Sequence, residues 1–146
     1  YDIKGIRFIA IDNSTYEIND KQLNFFSKHV ESGMPIVLLI HIPMYAPGKN
    51  ISFGCGNPFW GATTDRNFEL ERRAKWPENG HTKTTFEFYT KVFDSSNVIG
   101  IFAGHIHRSS IEIIKGKPQI VSDDNASGAY LEIDLIPMDK KYKVIS

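Results

Sequence analysis

At 146 residues the chain is long enough for one domain with a real core, and its 41% hydrophobic and 23% charged content is that of an ordinary globular protein. Seventeen Lys and Arg balance seventeen Asp and Glu, so no global field points to a nucleic-acid partner, and the longest apolar run, PIVLLI at 35–40, is far too short to span a membrane. The single cysteine, Cys55, excludes an intrachain disulfide, and the start at Tyr1 rather than methionine is expected of a processed chain or a piece of a longer one.

The run GIRFIAID at 5–12 is β-branched and apolar and ends in a turn-prone DNS, which predicts a buried strand. NDKQLNFFSKHVESG at 19–33 predicts a helix: Asn19 or Asp20 caps its start, Leu23, Phe26 and Val30 share a face, and Gly33 stands where a helix stops. PIVLLIH at 35–41 is almost continuously apolar, as expected of a strand covered on both faces. These three elements make a βαβ unit. Residues 42–81 are rich in Gly, Pro and Asn and read as a long loop insertion, with only NFELERRAKW helical in character. TKTTFEFYTKVFDSS at 82–96 predicts a second helix, with Thr84 and Glu87 as a capping box and Phe86, Tyr89 and Phe93 on one face. NVIGIFAGH at 97–105 predicts a third buried strand, and the remainder predicts three or four antiparallel strands. The expected architecture is a single α/β domain, with mixed β-sheet and flanking helices.

Chemistry concentrates in the histidines. Of five, three close predicted buried strands: His41 ends IVLLIH, and His105 and His107 end IGIFAGHIH. In open α/β sheets, ligands bind beyond the carboxyl ends of the strands. If the chain stays extended through 105–107, the two rings point to one side, roughly 6–7 Å apart at the backbone, and can serve one metal or two. Gly104 is read as a place where backbones approach closely. His29 is expected to pack on a helix, and His81 to be solvated in a polar loop. Asp12, Asp123 and Asp124 are expected in turns and caps. Tyr45, Phe53, Phe59 and Trp60 are expected to fasten the loop to the body, with substrate shaping as the alternative. Of Arg66, Arg72, Arg73 and Arg108, the last is best placed to meet a phosphate, and Cys55 is expected to be inert.

An apolar strand ending in His41, then about 60 residues later a strand running into Gly104-His105-Ile106-His107, resembles the C-terminal half of the calcineurin-like metallophosphoesterases. FIAIDNS upstream resembles a strand of that family ending in an Asp-Ser-type turn, so the likeness spans 5–136. The resemblance implies the C-terminal part of a four-layer sandwich of two mixed sheets flanked by helices. It implies two divalent ions (Mn, Fe, Zn or Ni), with His41 and His105 on one and His107 on the other. It implies a phosphate mono- or diester substrate, for which Arg108, directly after His107, and Tyr45, in the Gly-rich loop, are by their positions the substrate-binding candidates. The family's Asp-x-His, Gly-Asp and Gly-Asn-His motifs are absent here; GNP at 56–58 carries proline where histidine is needed. The chain is therefore expected to be an incomplete domain over 1–146, inactive alone and holding metal weakly or not at all. No nucleic-acid or membrane partner is expected. The alternative is a non-catalytic binding domain that forms a homodimer by covering apolar sheet surface, and a third reading is a single-metal hydrolase using the three histidines and one carboxylate.

Overall fold

A computed structural model describes residues 1–49, 54–61 and 80–136. The helix expected within 67–76, Phe53, Arg66, Arg72 and Arg73 lie outside these residues.

Six strands form one mixed sheet. In chain order the elements are β1 (Asp2–Ile3), β2 (Ile6–Ile11), α1 (Asp20–Glu31), β3 (Ile36–Ile40), α2 (Lys83–Asp94), β4 (Val98–Ala103), β5 (Ser110–Ile114) and β6 (Lys117–Val121). Across the sheet the order is β1-β2-β3-β4-β6-β5. β2, β3, β4 and β6 run parallel, and β1 and β5 are antiparallel edges. The carboxyl ends of the four parallel strands share one rim.

Local chemistry explains the helices. Asn19 caps α1 through a reciprocal pair with Gln22, and Gly33, at φ +70°, lets the chain leave the helix toward β3. For α2 the cap is Thr82, whose side chain accepts from the Thr85 amide, and not the expected Thr84–Glu87 box. Thr84 instead donates to Asp20 at 2.7 Å, and Glu87 pairs with Lys83 one turn away. The buried stripe of α2 is Thr85, Phe88, Val92 and Phe93; Phe86 and Tyr89 are only half-buried.

Both crossovers, β2-α1-β3 and β3-α2-β4, step the same way along the sheet, so both helices cover one face. Phe26 of α1 meets Phe88 of α2 with centroids 4.9 Å apart, over Ile9, Ile11, Leu38, Ile40 and Ile101. Removing either ring would leave a cavity worth about 3–5 kcal/mol. The opposite face is apolar and largely open. Register puts Ala10, Leu39 and Phe102 side by side on it, with Ile111 opposite Ile120. Leu39 is 36% exposed, Ile111 72% and Ile113 69%. β3 is thus not covered on both faces along its whole length.

The expected antiparallel series after β4 is also different. β5 and β6 form a hairpin turned by Lys115 and Gly116, both at positive φ, the backbone a tight two-residue turn demands. β6 then inserts beside β4 in parallel, leaving β5 at the edge. Among the described residues after Val121 there is only a short 3-10 turn, Asn125–Ser127. Because β5 lies beyond β6, residues 104–109 must cross the carboxyl end of β6, and this crossing carries the Gly-His-Ile-His segment. No helix among the described residues is long and apolar enough to cross a membrane.

Candidate functional site

The carboxyl rim collects His41, from the end of β3, and the 104–109 crossing. The chain leaving His41 is held by Asn13, which follows β2. Asn13 is fully buried; its Oδ1 accepts from the amides of His41 and Ile42, both at 2.9 Å, and its Nδ2 donates to the Ile42 carbonyl at 2.8 Å. From the other side, the Gly104 amide donates to the His41 carbonyl at 3.0 Å. Without Asn13 the amide and carbonyl of Ile42 would be unpaired buried dipoles. Gly104 is used for that bond and not for tight space, since a Cβ there would meet only Ser122 Oγ at 3.9 Å.

The extended path expected for 105–107 does not occur. β4 stops at Ala103, and His105 and His107 both take left-handed backbone, at φ +69° and +50°. The two rings therefore do not share a face by strand alternation. Instead His105 turns to His41: its Nδ1 lies 3.1 Å from Nε2 of His41, with the rings edge to face at 4.9 Å. His107 is exposed and is not gathered with the pair; among the described residues no three His, Cys, Asp or Glu side chains come together as a metal-binding group.

The other nitrogen of His105, Nε2, lies 2.8 Å from the hydroxyl of Tyr16. Tyr16 is fully buried and also left-handed, at φ +65°. Among the described residues, three of the five non-glycine positions with positive φ are thus Tyr16, His105 and His107. Such backbone costs about 1–3 kcal/mol per residue and persists where surroundings over-determine it. The other two, Lys4 and Lys115, sit in tight turns before Gly5 and Gly116, where the conformation is ordinary.

Beneath the rim, the aromatic contacts continue. Tyr16 stacks on Trp60 at 4.6 Å, and Trp60 stacks on His81 at 4.5 Å. His81 is not solvated: its side chain is 0% exposed, and Nδ1 meets Glu17 Oε1 at 3.1 Å. The Glu17 carboxylate also accepts from the Thr82 amide, the Thr82 hydroxyl and the Thr85 hydroxyl. Burial pushes the Glu17 carboxyl up, but the bonds from His81, Thr85 and Thr82 together outweigh it and hold it below the ordinary range. Trp60 fastens its loop segment as expected, whereas Phe59 is exposed.

The remaining candidates divide clearly. Asp12 Oδ1 accepts from the Ser14 amide at 2.9 Å, and that bond holds its carboxyl below the usual range. Asp123 and Asp124 cap the backbone of the 3-10 turn through Asp124 N and Ala126 N. His29 packs on Phe25 and meets Arg7 at 3.0 Å. Cys55 is buried and its thiol is pushed up to about 12 by burial, so no thiolate nucleophile is available near neutrality. Arg108 is exposed beside His107. Tyr45 is half-buried, and its backbone anchors the loop by accepting from the Tyr89 hydroxyl at 3.1 Å and donating to the Cys55 carbonyl at 2.9 Å. Next to it, Gly56 at φ +84° leaves room that Tyr89 fills; a Cβ would come within 2.5 Å of that ring.

Sequence reasoning did not single out Asn13, Tyr16 or Glu17. Asn13 carries a weak signal, a short polar residue just past a strand on the histidine rim. Tyr16 and Glu17 carry none. In comparisons with known proteins, no family model matches the chain and no curated protein matches it.

A divalent ion needs deprotonated imidazole nitrogens converging on one point. Nε2 of His41 and Nδ1 of His105 converge at 3.1 Å. The donor set therefore fits one half of a four-coordinate site, with the other ligands still required.

Proposed function

We propose that this chain carries one side of a dinuclear metal centre in a phosphoesterase of the calcineurin-like kind, acting on phosphate mono- or diesters. The observation that carries the reading is the meeting of two strand-end imidazoles, 64 residues apart in sequence, at the carboxyl rim of parallel strands. Open α/β sheets use that rim for chemistry. His41 and His105 serve one ion and His107, on the same crossing segment, serves the other. The bridging carboxylate and the remaining ligands come from outside these 146 residues. Two such ions, of Mn, Fe, Zn or Ni, supply charge neutralisation of phosphate oxygens and a bound water of lowered pKa. The chain's own part is positional. Asn13 and Gly104 fix the His41 backbone, and the left-handed turn at 105 aims the second ring at the first. Arg108 offers a guanidinium to a phosphate oxygen beside His107, and Tyr45 flanks the rim on the loop that follows His41. The open apolar face of the sheet is where the second sheet of the four-layer sandwich lies in this reading.

The test is zinc or manganese titration of the chain by calorimetry, paired with an aryl phosphate turnover assay. The expected result is weak binding lost in His41→Ala and no turnover. Rapid, chelator-sensitive turnover by the chain alone would overturn the view that ligands are missing from it.

A second reading is favoured by the same open face. Leu39, Ile111 and Ile113 are exposed on an apolar sheet face, which is the surface of a self-associating or binding domain. Here a second copy covers the face and no chemistry occurs. Light scattering separates the two: a monomer at all concentrations argues against self-association.

A further inference from the structure

We propose that Tyr16 is the positioning residue that makes Nδ1 of His105 its metal-binding atom; this rests on reading His41 and His105 as a half-site. A neutral imidazole holds a cation through the one nitrogen that lacks a proton. Both nitrogens of His105 are engaged: Nδ1 faces His41 at 3.1 Å, and Nε2 lies 2.8 Å from the Tyr16 hydroxyl. A cation between the rings requires both facing nitrogens to be bare. The His105 proton then sits on Nε2 and is donated to the Tyr16 oxygen. Without the cation, the other tautomer serves: His105 Nδ1–H donates to His41, and the Tyr16 hydroxyl donates to Nε2. A hydroxyl suits this position because it accepts in one state and donates in the other, leaving the ring paired in both. A carboxylate or a carbonyl could only accept.

The position of Tyr16 is over-determined. Its ring is sealed against Trp60 at 4.6 Å with planes 6° apart, and Trp60 lies on His81, whose Nδ1 meets Glu17. Glu17 is the residue after Tyr16, so the stack begins and ends on one turn of backbone. That closure holds a bulky side chain at φ +65° and fixes the hydroxyl, and through it the plane of His105.

The test uses long-range proton–nitrogen correlation spectra of the histidine rings in the full chain, with and without zinc chloride. With zinc, His41 Nε2 and His105 Nδ1 take on metal-bound shifts while His105 Nε2 keeps its proton. Tyr16→Phe preserves the ring stack, lowers zinc affinity about tenfold or more, and lets His105 populate both tautomers. Coordination of His105 through Nε2, or unchanged zinc affinity and tautomer in Tyr16→Phe, overturns the role of Tyr16 and leaves the half-site standing. Absence of any zinc-dependent shift at His41 and His105 in the unmodified chain overturns the half-site and the role of Tyr16 with it. The coordinating atom in the unmodified chain decides the matter even where the Phe variant fails to fold.

Discussion

Two histidine pairs lie on either side of Trp60, and they are opposites. Below it, His81 is sealed from water and faces a carboxylate that accepts from four groups, His81 and three on Thr82 and Thr85. Above it, His105 faces another imidazole at 3.1 Å, and His41 is exposed. The lower pair is tied down through Glu17, whose bonds contribute stability, although Nε2 of His81 is buried without a hydrogen-bond partner among the described residues. The upper pair brings two potential donors of electron density together at the rim, with the Asp12 carboxylate acting on His41 through space, and under the proposed reading this is where a cation would bind. Residue type does not separate these roles; the partner does.

That contrast can be broken by substitution. The largest effect is expected from Glu17→Ala, which strands His81 and the Thr82 and Thr85 donors in a half-buried site; a loss of about 3 kcal/mol is expected, read as a lowered urea midpoint. If the midpoint is unmoved, the lower pair is not structural. Asn13→Ala follows, because it unpairs the His41 and Ile42 amides and the Ile42 carbonyl; about 2 kcal/mol should be lost, with weaker zinc binding in the same variant.

Acid should weaken the lower pair. The folded-state pKa of Glu17 is depressed below its ordinary 4.5. Its contribution is therefore complete above that value and is lost as pH falls through the depressed one. Glu17→Gln should flatten this acid limb of the stability profile, and an unchanged limb would assign the loss to other carboxylates. The smallest effect on stability is expected at the upper pair. His41→Ala removes an exposed ring and should shift stability by no more than about 0.5 kcal/mol while abolishing zinc-dependent stabilisation. A large loss of stability without zinc would show that the upper pair is structural too.

Much of the fold is legible locally. The apolar runs at 6–11, 36–40 and 98–103 are strands because continuous β-branched segments bury well there, and α1 takes its Asn19 cap and Gly33 exit as the residues require. The cap of α2 was less legible: Thr82, Thr84 and Thr85 are chemically alike, and the neighbouring Asp20 and Glu17 decide which one faces which partner. The rim position of His41 follows from strand ends alone. The turn of His105 does not, since alternation predicts an extended pair, and a left-handed backbone at a histidine has no sequence mark. His81 reads as a polar loop residue and is buried only because Trp60, Phe86 and Glu17 arrive from three other segments.

The sequence by itself determined which segments become most of the strands and helices, and that His41 closes one strand while the Gly-His-Ile-His segment follows another, because periodicity and capping act over a few residues. Only the tertiary structure decided that β6 enters in parallel beside β4, that the crossing segment bends left-handed over its end, and that Nδ1 of His105 meets Nε2 of His41 while Tyr16 takes Nε2. Those contacts join residues 64 and 89 positions apart. They depend on sheet order, register and ring orientation together, and no local preference encodes that combination.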